Sequence, residues 1–537
     1  MVTPPSPKGR NSPPWVQKPL DWMSRVCRPP VISTVSTAII VLGLRAVGAL
    51  QGLELGVYDQ MMRLRSAPTP DDRILVVGIS EADIQARQEW PIQDSTLADV
   101  LEIVLAGNPR AVGLDIFRDV PIGEGQAALV TQLESSDRVF PVCKMSDSAN
   151  PGVPPPQGVP EEYVGFSDLL VDQGGILRRS LLVAAPPEDS DVTNTHLCNS
   201  PDAQLLSLSL QLALSYLAAD GIQPEFTANQ ELKLGDTVLS RLGPNTGSYR
   251  NINAQGYQIL LNYQASDGAI PEVSLSEVLA GQVSPDQFRD RIVLIGATTP
   301  EAKDVFYTPF SGGLRDSQTM TGVMVHAQAT SQILRAVLND RPLLWGWSTL
   351  GEAGWIIAWG LGGALFAWYV RRPLPYAVGA VVLLGGLYGV CYLFFLQGGW
   401  IPLVPPALSL LLASGGVVLL DRFNKSDYGQ AVYKQMKSLL RLEIEIDQTR
   451  VGEQVAEITD TDYFARLQSQ AKELRDKRSG AATTNSQKSG DDRPTRPSST
   501  PSQDADSTIS VDDYVDSLKQ KARNMKSSET HSDHDRT

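Results

Sequence analysis

Basic residues and cysteines are both scarce in this sequence. Its 537 residues include 46 Lys and Arg against 60 Asp and Glu, with only four cysteines and four histidines. The acidic excess excludes a simple nucleic-acid-binding protein, because no surplus of positive charge remains to neutralise phosphates. Familiar catalytic motifs are also missing: the sequence has no Gly-rich phosphate loop, no His-Arg-Asp or Asp-Phe-Gly motif and no Gly-x-Ser-x-Gly elbow.

Charge and hydropathy are unevenly distributed along the chain. Residues 54–341 contain 37 acidic and 19 basic residues, a net charge of −18, which leaves 23 acidic and 27 basic residues, a net charge of +4, elsewhere. Uninterrupted apolar sequence predicts four membrane-spanning helices, at residues 31–50, 353–370, 374–396 and 401–420. Basic residues lie at one end of these segments. The positive-inside rule therefore predicts cytoplasmic residues 1–30, a cytoplasmic C-terminus and an exported block at 54–342.

The first predicted span has two interpretations. Arg45 interrupts it, and Ala46-Val47-Gly48 resembles a small-residue cleavage site. The segment is either a signal anchor whose Arg45 reaches the interface or a cleaved signal peptide, and both export the block that follows. The last two spans contain no Asp, Glu, Lys, Arg or His. This absence indicates an anchoring bundle rather than a transporter, which needs ionisable groups near the midplane.

The exported block has the sequence pattern of an α/β domain. Short β-branched runs at 73–80, 111–115 and 291–296 are typical of strands that are buried on both faces. Helical patterns, including those at 205–217 and 323–337, alternate with such runs. The alternation predicts a mainly parallel sheet covered by helices.

Acidic residues follow several predicted strands, at the edge where open parallel sheets bind ligands. Glu81 and Asp83 follow the first strand, Asp115 ends the next one, and Asp304 comes after the strand at 291–296. We expect them to line one pocket, with Arg178 and Arg179 opposite, that suits a small polar or zwitterionic ligand. The alternative is that these residues are helix caps, turn formers and ion pairs of the fold.

Histidines and cysteines of the exported block give weaker signals. His326 is interpreted as a structural histidine rather than a metal ligand, because no Cys, His or carboxylate has a recognisable spacing to it. No metal and no cofactor is predicted. Cys143 and Cys198 either form a disulfide or remain two free thiols, since spacing alone does not establish a bridge.

Short motifs in this block carry a resemblance to a known family. They are Tyr58-Asp59 with Arg63, Trp90-Pro91, Gly113-Leu114-Asp115, the run 172–179, Asn262-Tyr263, Asp304, Thr308-Pro309-Phe310 and the run 322–327. In this order, and followed by three membrane helices, they resemble the CHASE2 extracellular sensory domain of bacterial receptors. The resemblance covers about residues 55–420. It implies a protein of the bacterial plasma membrane that reports an external stimulus to a kinase or cyclase inside the cell.

No such output enzyme is recognisable in residues 421–537, and 480–507 are dominated by Ser, Thr, Asp, Gln and Pro. The chain is therefore predicted to be a sensor or adaptor, not an enzyme, that signals through a separate cytoplasmic protein. The alternative is an exported enzyme on a membrane anchor, or a structural envelope protein, that uses the acidic crevice of the α/β domain.

The C-terminal tail contains one predicted helix and one repeat. Residues 428–458 have apolar positions at helical spacing, which predicts a membrane-proximal helix that is either a single surface helix or a homodimer contact. Residues 459–537 are predicted to be largely disordered, with two short helical repeats at 462–478 and 513–526. We expect six apolar positions to dock the cytoplasmic partner: Tyr463, Phe464, Leu467, Tyr514, Val515 and Leu518. Chance similarity and binding to membrane lipid are the alternatives.

Overall fold

The computed structural model describes residues 29–66, 68–147, 150–187, 195–312 and 318–426, together with 430, 431, 435, 466 and 469. The chain divides into two compact units, and all contacts discussed below lie within residues 29–414 of the first unit. The second unit consists of residues 415–508. The predicted helix at 428–458, both tail repeats and the six predicted docking residues lie outside the described residues, apart from the five single positions.

Eleven helices and seventeen strands are described in these ranges. The helices are α1 (Pro29–Ala46), α2 (Gln51–Leu64), α3 (Glu81–Arg87), α4 (Asp94–Ala106), α5 (Gln126–Ser135), α6 (Leu208–Ala219), α7 (Leu275–Leu279), α8 (Gly322–Val337), α9 (Thr349–Tyr369), α10 (Pro373–Leu396) and α11 (Val404–Lys425). The strands are β1 (Ile74–Ile79), β2 (Ala111–Asp115), β3 (Val139–Cys143), β4 (Gly165–Phe166), β5 (Leu170–Val171), β6 (Leu177–Ala184), β7 (Leu205–Ser207), β8 (Pro224–Phe226), β9 (Leu232–Leu234), β10 (Thr237–Leu239), β11 (Tyr257–Leu260), β12 (Glu272–Ser274), β13 (Ile292–Ala297), β14 (Val305–Tyr307), β15 (Thr319–Thr321), β16 (Trp345–Gly346) and β17 (Gly399–Trp400).

A ten-stranded mixed sheet forms the centre of the α/β domain. Its order is β11-β6-β7-β4-β3-β2-β13-β1-β12, and β5 pairs with β6 beside this path. The strands from β7 to β12 in this order run parallel, with Val76, Leu294 and Gly113 in register across β1, β13 and β2. The pairs β6–β7, β6–β11 and β5–β6 are antiparallel. The predicted sheet is thus present, and its parallel part carries an antiparallel extension at one side.

Helices cover both faces of this sheet. Because successive side chains of a strand point to opposite faces, β1 contributes Ile74 and Val76 to one core and Leu75, Val77 and Ile79 to the other. The first core is closed by α6 and α8, and the second by α4, α5 and α7. Every residue of β1 is consequently buried, which explains its uninterrupted apolar sequence.

Four of the described helices are long and apolar enough to cross a membrane: Pro29–Ala46, Thr349–Tyr369, Pro373–Leu396 and Val404–Phe423. They correspond to the four predicted spans, with shifted ends. α9 begins at Thr349, before the predicted start at 353, because Ser348 caps it by accepting from the Gly351 N–H. The last helix begins after 401, because Trp400 still belongs to β17, which pairs with β16.

Helix α2 connects the first apolar helix to the sheet. It lies at the start of the predicted exported block, where the sequence did not indicate a separate helix. Tyr58 donates from its hydroxyl to the Leu261 carbonyl at 2.8 Å, just after β11. The Tyr58 ring also contacts Phe395 and Trp400 edge-on, with centroid distances of 5.5 and 5.0 Å. Both the α/β domain and the apolar helices therefore hold α2 in place.

Candidate functional site

A cavity of about 500 Å³ opens at the carboxyl ends of five parallel strands. Such an edge of an open α/β sheet is the usual position of a ligand crevice, because the loops that follow parallel strands meet there. The described residues that line the cavity come from the ends of β1, β2, β3, β4 and β13, from the loop between α3 and α4, from the segment around β14 and from α8. They are Ile79, Trp90, Pro91, Ile92, Asp115, Ile116, Phe117, Arg118, Lys144, Asp147, Ser167, Asp168, Leu169, Ala297, Ala302, Asp304, Phe306 and His326.

Asp115 and Asp304 are the two predicted site residues that the structure brings together here. Asp115 is the last residue of β2 and pairs in register with Gly296 of β13. Removal from water raises the pKa of the Asp115 carboxyl to about 7. Burial and the charge of Asp115 raise the pKa of Asp304 to about 6. The two carboxyl groups are therefore close enough to influence each other's ionisation.

Gly322 provides room for the Asp304 carboxylate at the start of α8. A Cβ at this position would lie 2.0 Å from Asp304 Oδ2, so only glycine leaves the carboxylate where it is. The Gly322 N–H donates to the Asp304 backbone carbonyl at 3.0 Å and also favours the ionised side chain. The first N–H groups of a helix have no partner within the helix, so they suit an acceptor at this place.

His326 lies in the first turns of α8 and forms part of the cavity wall. Only 2% of the residue is exposed, and burial lowers the pKa of its imidazole, which keeps the ring neutral at pH 7. The Ser167 backbone beside the ring acts in the opposite direction and raises the pKa of the imidazole. Within the described residues, Nδ1 is buried and has no hydrogen-bond partner. A buried polar atom without a partner needs an explanation, and a ligand in the cavity would supply one.

Two further charged residues of the wall follow strands that the sequence did not mark as binding elements. Lys144 follows β3, and Asp168 comes soon after β4. Asp168 Oδ2 accepts from the Met145 N–H at 2.9 Å, and burial raises the pKa of this carboxyl. The guanidinium of Arg118 is already paired with Asp94, with 3.1 Å between Nε and Oδ1. Carboxyl groups thus outnumber the unpaired cations of the wall.

Aromatic rings border the acidic part of the cavity. Trp90 is 46% exposed, Phe117 is 38% exposed, and Phe306 of β14 is half-buried. Exposed apolar groups that lie together around a groove often mark a binding site. The combination of rings and carboxylates can contact a small organic molecule on its apolar and polar sides at once.

Glu81 and Asp83 do not line this cavity, although they follow β1. Asp83 forms a capping box with Ser80 at the start of α3, and its Oδ1 accepts from the Ser276 N–H at 3.0 Å. Glu81 Oε2 accepts from the Thr299 hydroxyl at 3.1 Å. For these two residues the alternative interpretation as helix caps and fold contacts describes the structure.

Arg178 and Arg179 also lie elsewhere, and their predicted position opposite the acidic residues is wrong. They belong to β6 in the antiparallel part of the sheet, where Asp172 pairs with both of them, at 3.1 Å from Arg178 Nη1 and 2.7 Å from Arg179 Nε. Arg178 additionally binds Asp59 of α2, and Tyr249 donates to Asp172 at 2.7 Å. The sequence did not reveal this cluster, because Asp59 and Tyr249 come from segments far from Arg178 along the chain.

Cys143 and Cys198 form a disulfide with a Cα–Cα distance of 6.3 Å, the first of the two alternatives considered from sequence. Cys143 ends β3, directly before Lys144 of the cavity wall. The Ser146 N–H donates to the Cys198 carbonyl at 3.0 Å. The bridge therefore ties segment 144–147 to the loop around 198.

Sequence reasoning missed Lys144, Asp168, His326 and the aromatic wall as site residues. The rule that found Asp115 and Asp304 applies equally to residues after β3 and β4, but β4 has only two residues and gives no recognisable strand pattern. Among the described residues, no group of three or more His, Cys, Asp or Glu side chains could hold a metal ion. The site is thus a partly aromatic, carboxylate-rich cavity.

The fold and this cavity define an α/β domain attached to four apolar helices that are suited to a membrane. The model of the CHASE2 domain family matches residues 36–365. This range exceeds half of the 537 residues, so the chain belongs to the CHASE2 family, whose domains are extracellular sensors. No curated protein and no solved structure matches the chain.

Proposed function

We propose that the protein is a receptor of a bacterial plasma membrane, with both termini in the cytoplasm and its α/β domain outside. In this proposal a small polar molecule binds in the cavity and changes the position of the membrane helices. The observation that carries the proposal is the cavity itself, whose wall includes the buried and unpartnered Nδ1 of His326 and continues directly into contacts with α2. Family membership adds support, since CHASE2 domains are sensory domains.

The cavity wall reaches α2 through a short stretch of chain. Asp304 and Phe306 line the cavity, and Tyr307 forms a β-bridge with Ile176 in the turn between β5 and β6. Five residues after Asp304, the chain reaches Pro309, whose carbonyl accepts from Arg63 Nη1 of α2 at 2.6 Å. A ligand that displaces this wall would therefore act on α2 without an intermediate domain.

Helix α2 in turn contacts the apolar helices at both ends. Near its start, the Glu54 carboxylate accepts from the Leu403 and Val404 N–H groups, each at 2.7 Å, and so caps α11. Near its end, Tyr392 of α10 donates to the Leu64 carbonyl at 2.8 Å. Before α2, Arg45 of α1 binds both Glu352 of α9 and the Gly247 carbonyl of the α/β domain. These contacts support transmission of a ligand-dependent movement to the membrane.

The direct test is a ligand screen of the full-length protein in lipid nanodiscs, read out by thermal shift. The panel consists of amino acids, amines, organic acids, sugars and nucleosides. Ala302→Trp fills the cavity, whereas Ala228→Trp adds the same ring to an exposed turn as the matched control. We expect a compound that stabilises the wild type and the control but not Ala302→Trp, and that slows hydrogen exchange in α2. Hits that act equally on all three proteins would contradict the proposal.

The cytoplasmic output is the second part of the proposal. We infer that the tail recruits a separate signalling protein through Tyr463, Phe464, Leu467, Tyr514, Val515 and Leu518, since both copies place apolar residues on one helical face. A tail with Tyr463, Leu467, Tyr514 and Leu518 changed to Ala is the comparison bait for affinity capture. Capture of the same proteins by both baits would exclude this role of the repeats.

An exported hydrolase is the second candidate function. The specific observation in its favour is the pair of carboxyl groups with pKa values of about 7 and 6, because a carboxyl that is protonated near neutral pH can act as a general acid. Ser167, the hydroxyl residue beside His326, donates from Oγ to the Cys143 carbonyl at 3.4 Å instead of to the ring. Mass spectrometry of a recovered ligand distinguishes the two functions: a receptor returns it unchanged, whereas an enzyme converts it.

A further inference from the structure

We propose that the cavity binds the primary ammonium group of a small amine or amino acid, held by Asp115, Asp304 and His326 with the apolar part of the molecule against the aromatic wall. This inference rests on the proposed function and specifies the chemical class of its ligand.

Nδ1 of His326 is a buried polar atom in the cavity wall, and it has no hydrogen-bond partner within the described residues. A neutral imidazole carries one N–H and leaves its other nitrogen as an acceptor. In the proposed complex Nε2 carries the proton and Nδ1 is the acceptor. Nδ1 then receives one donor from the ligand.

Asp115 supplies further acceptors in the cavity wall. No hydrogen bond from the part of the chain that the structure describes reaches its carboxyl group, although the residue lies in the cavity wall. Asp304 has the Gly322 N–H as a neighbour and keeps further lone pairs for a ligand. Asp115, Asp304 and His326 Nδ1 together offer acceptors from three different elements. A primary ammonium group has three N–H donors and no acceptor, which complements this set.

The net charge of the cavity wall also favours a cationic ligand. The carboxyl groups of Asp115, Asp168 and Asp304 line the cavity, and Arg118 is paired with Asp94, which lies outside the lining. Lys144 is the remaining cation of the described lining, and it forms no ion pair there. A bound cation would restore the balance, and the faces of Trp90, Phe117 and Phe306 favour positively charged or apolar neighbours. Lys144 is left for the carboxylate of a zwitterionic ligand.

The test uses four probes that share one benzyl group. Benzylamine has charge and donors, benzyltrimethylammonium has the charge without donors, benzyl alcohol is neutral, and L-phenylalanine adds a carboxylate. Binding to the full-length protein in nanodiscs is measured by calorimetry. We expect benzylamine to bind at least about tenfold more tightly than the trimethyl compound or the alcohol, because only its ammonium group makes charge-assisted hydrogen bonds. Tighter binding of L-phenylalanine than of benzylamine would identify an amino acid as the ligand type.

Two variants locate the binding site. Asp304→Asn should weaken benzylamine binding about tenfold or more, whereas Asp286→Asn, an exposed carboxyl on the surface, should leave it unchanged. If Asp304→Asn does not fold, the pH dependence of the wild type decides, with affinity for benzylamine expected to rise between pH 5 and 8. The charged groups that face the ammonium site are Asp115, Asp168, Asp304, Lys144 and His326, and cation binding requires the carboxylates to be ionised.

The outcomes separate this inference from the proposed function. Equal binding of benzylamine and the trimethyl compound, or preference for the alcohol, overturns the ammonium assignment and leaves a ligand-binding receptor. The ammonium assignment also fails, and the ligand-binding receptor remains, if neither amine probe binds but the metabolite screen finds a ligand of another class. If no probe binds and the metabolite screen gives no hit, both the ammonium assignment and the proposed function are overturned.

Discussion

Arg178 holds Asp59 through two parallel hydrogen bonds, from Nε to Oδ1 and from Nη2 to Oδ2, each 2.7 Å long. The two residues lie 119 positions apart, so this pair fixes α2 to the long strand β6. Asp172, at 3.1 Å from Arg178, connects the same guanidinium to the turn between β5 and β6. A bidentate pair with so little exposure has a defined geometry, in contrast to the ion pairs at the surface of the domain.

Replacement of Asp59 by Asn should therefore destabilise the protein. Loss of one partner of a buried ion pair costs about 3–5 kcal/mol, although here Asp172 retains part of the compensation. Thermal unfolding in detergent is the measurement. Glu225→Gln is the matched control, because Glu225 pairs with Lys233 at 3.1 Å on the surface. An equal unfolding temperature for the Asp59 variant and the control would show that the pair does not hold α2.

Gly322→Ala should impair ligand binding with little loss of stability. The new methyl group would lie 2.0 Å from Asp304 Oδ2, so the carboxylate must turn away from the cavity, whereas the start of α8 tolerates alanine. Calorimetry with benzylamine measures the loss. Gly56→Ala in α2, where no atom lies within 4 Å of the added Cβ, should bind normally and gain up to about 1 kcal/mol of helix propensity. Unchanged affinity in Gly322→Ala would argue against an Asp304 contact.

The raised pKa of Asp115 predicts how stability depends on pH. The unfolded carboxyl titrates near pH 4 and the folded one near 7, so between these values the folded state binds more protons and stability falls as pH rises. Above pH 7 the full penalty of the buried charge remains. Asp115→Asn should remove this decline, so that the variant gains stability over the wild type at pH 8 but not at pH 4. Unfolding temperatures across this range test it, and parallel curves for the two proteins would contradict it.

Glu352→Gln should destabilise the protein more than the double change of Arg45 and Glu352 to Met. Both side chains are buried and bind each other between α1 and α9. The single change leaves the Arg45 charge without its partner, whereas the double change removes both charges from an apolar environment. The yield of folded protein after stepwise heating in detergent compares them. Greater loss in the double variant would mean that the contact of Arg45 with Gly247 is the more important one.

Membrane orientation can be tested by labelling single cysteines from outside intact cells. With Cys27 and Cys391 changed to Ser, a membrane-impermeant maleimide should react with Ser240→Cys, whose position is exposed on the α/β domain. A cysteine at Ser489 in the tail should react only after the cells are opened. Reaction at Ser489 in intact cells would reverse the proposed topology.

Much of the scaffold could be predicted from sequence because strong periodic signals encode it. β1, β2 and β13 are continuous apolar runs, and the four long apolar segments correspond to α1, α9, α10 and α11. Helix α2 was not predicted, because its residues are divided between two environments and have no single apolar stripe. The antiparallel extension was also missed, since short strands such as β4 and β5 have too few residues for a pattern.

The sequence predicted the edge of the sheet at which the site lies, but only some of its residues. Asp115 and Asp304 were found because they follow clear strands, whereas the choice among the remaining charged residues depends on which element lies beside which. Arg178 and Arg179 looked like pocket residues, but β6 is antiparallel to β7, so its arginines meet Asp59 and Asp172 instead of the cavity. For His326, the decisive fact is that Nδ1 is buried in the cavity wall without a partner among the described residues, and spacing does not encode this.

The disulfide between Cys143 and Cys198 makes the order of the cavity wall depend on the compartment that the chain has reached. Such a bond forms in an oxidising compartment, whereas the two thiols stay reduced in a reducing cytoplasm. Because Lys144 and Asp147 follow Cys143 in the cavity wall, a chain that is not exported would keep that wall free to move. If the protein is the receptor proposed above, copies that have not yet been exported would not respond to amines or amino acids inside the cell.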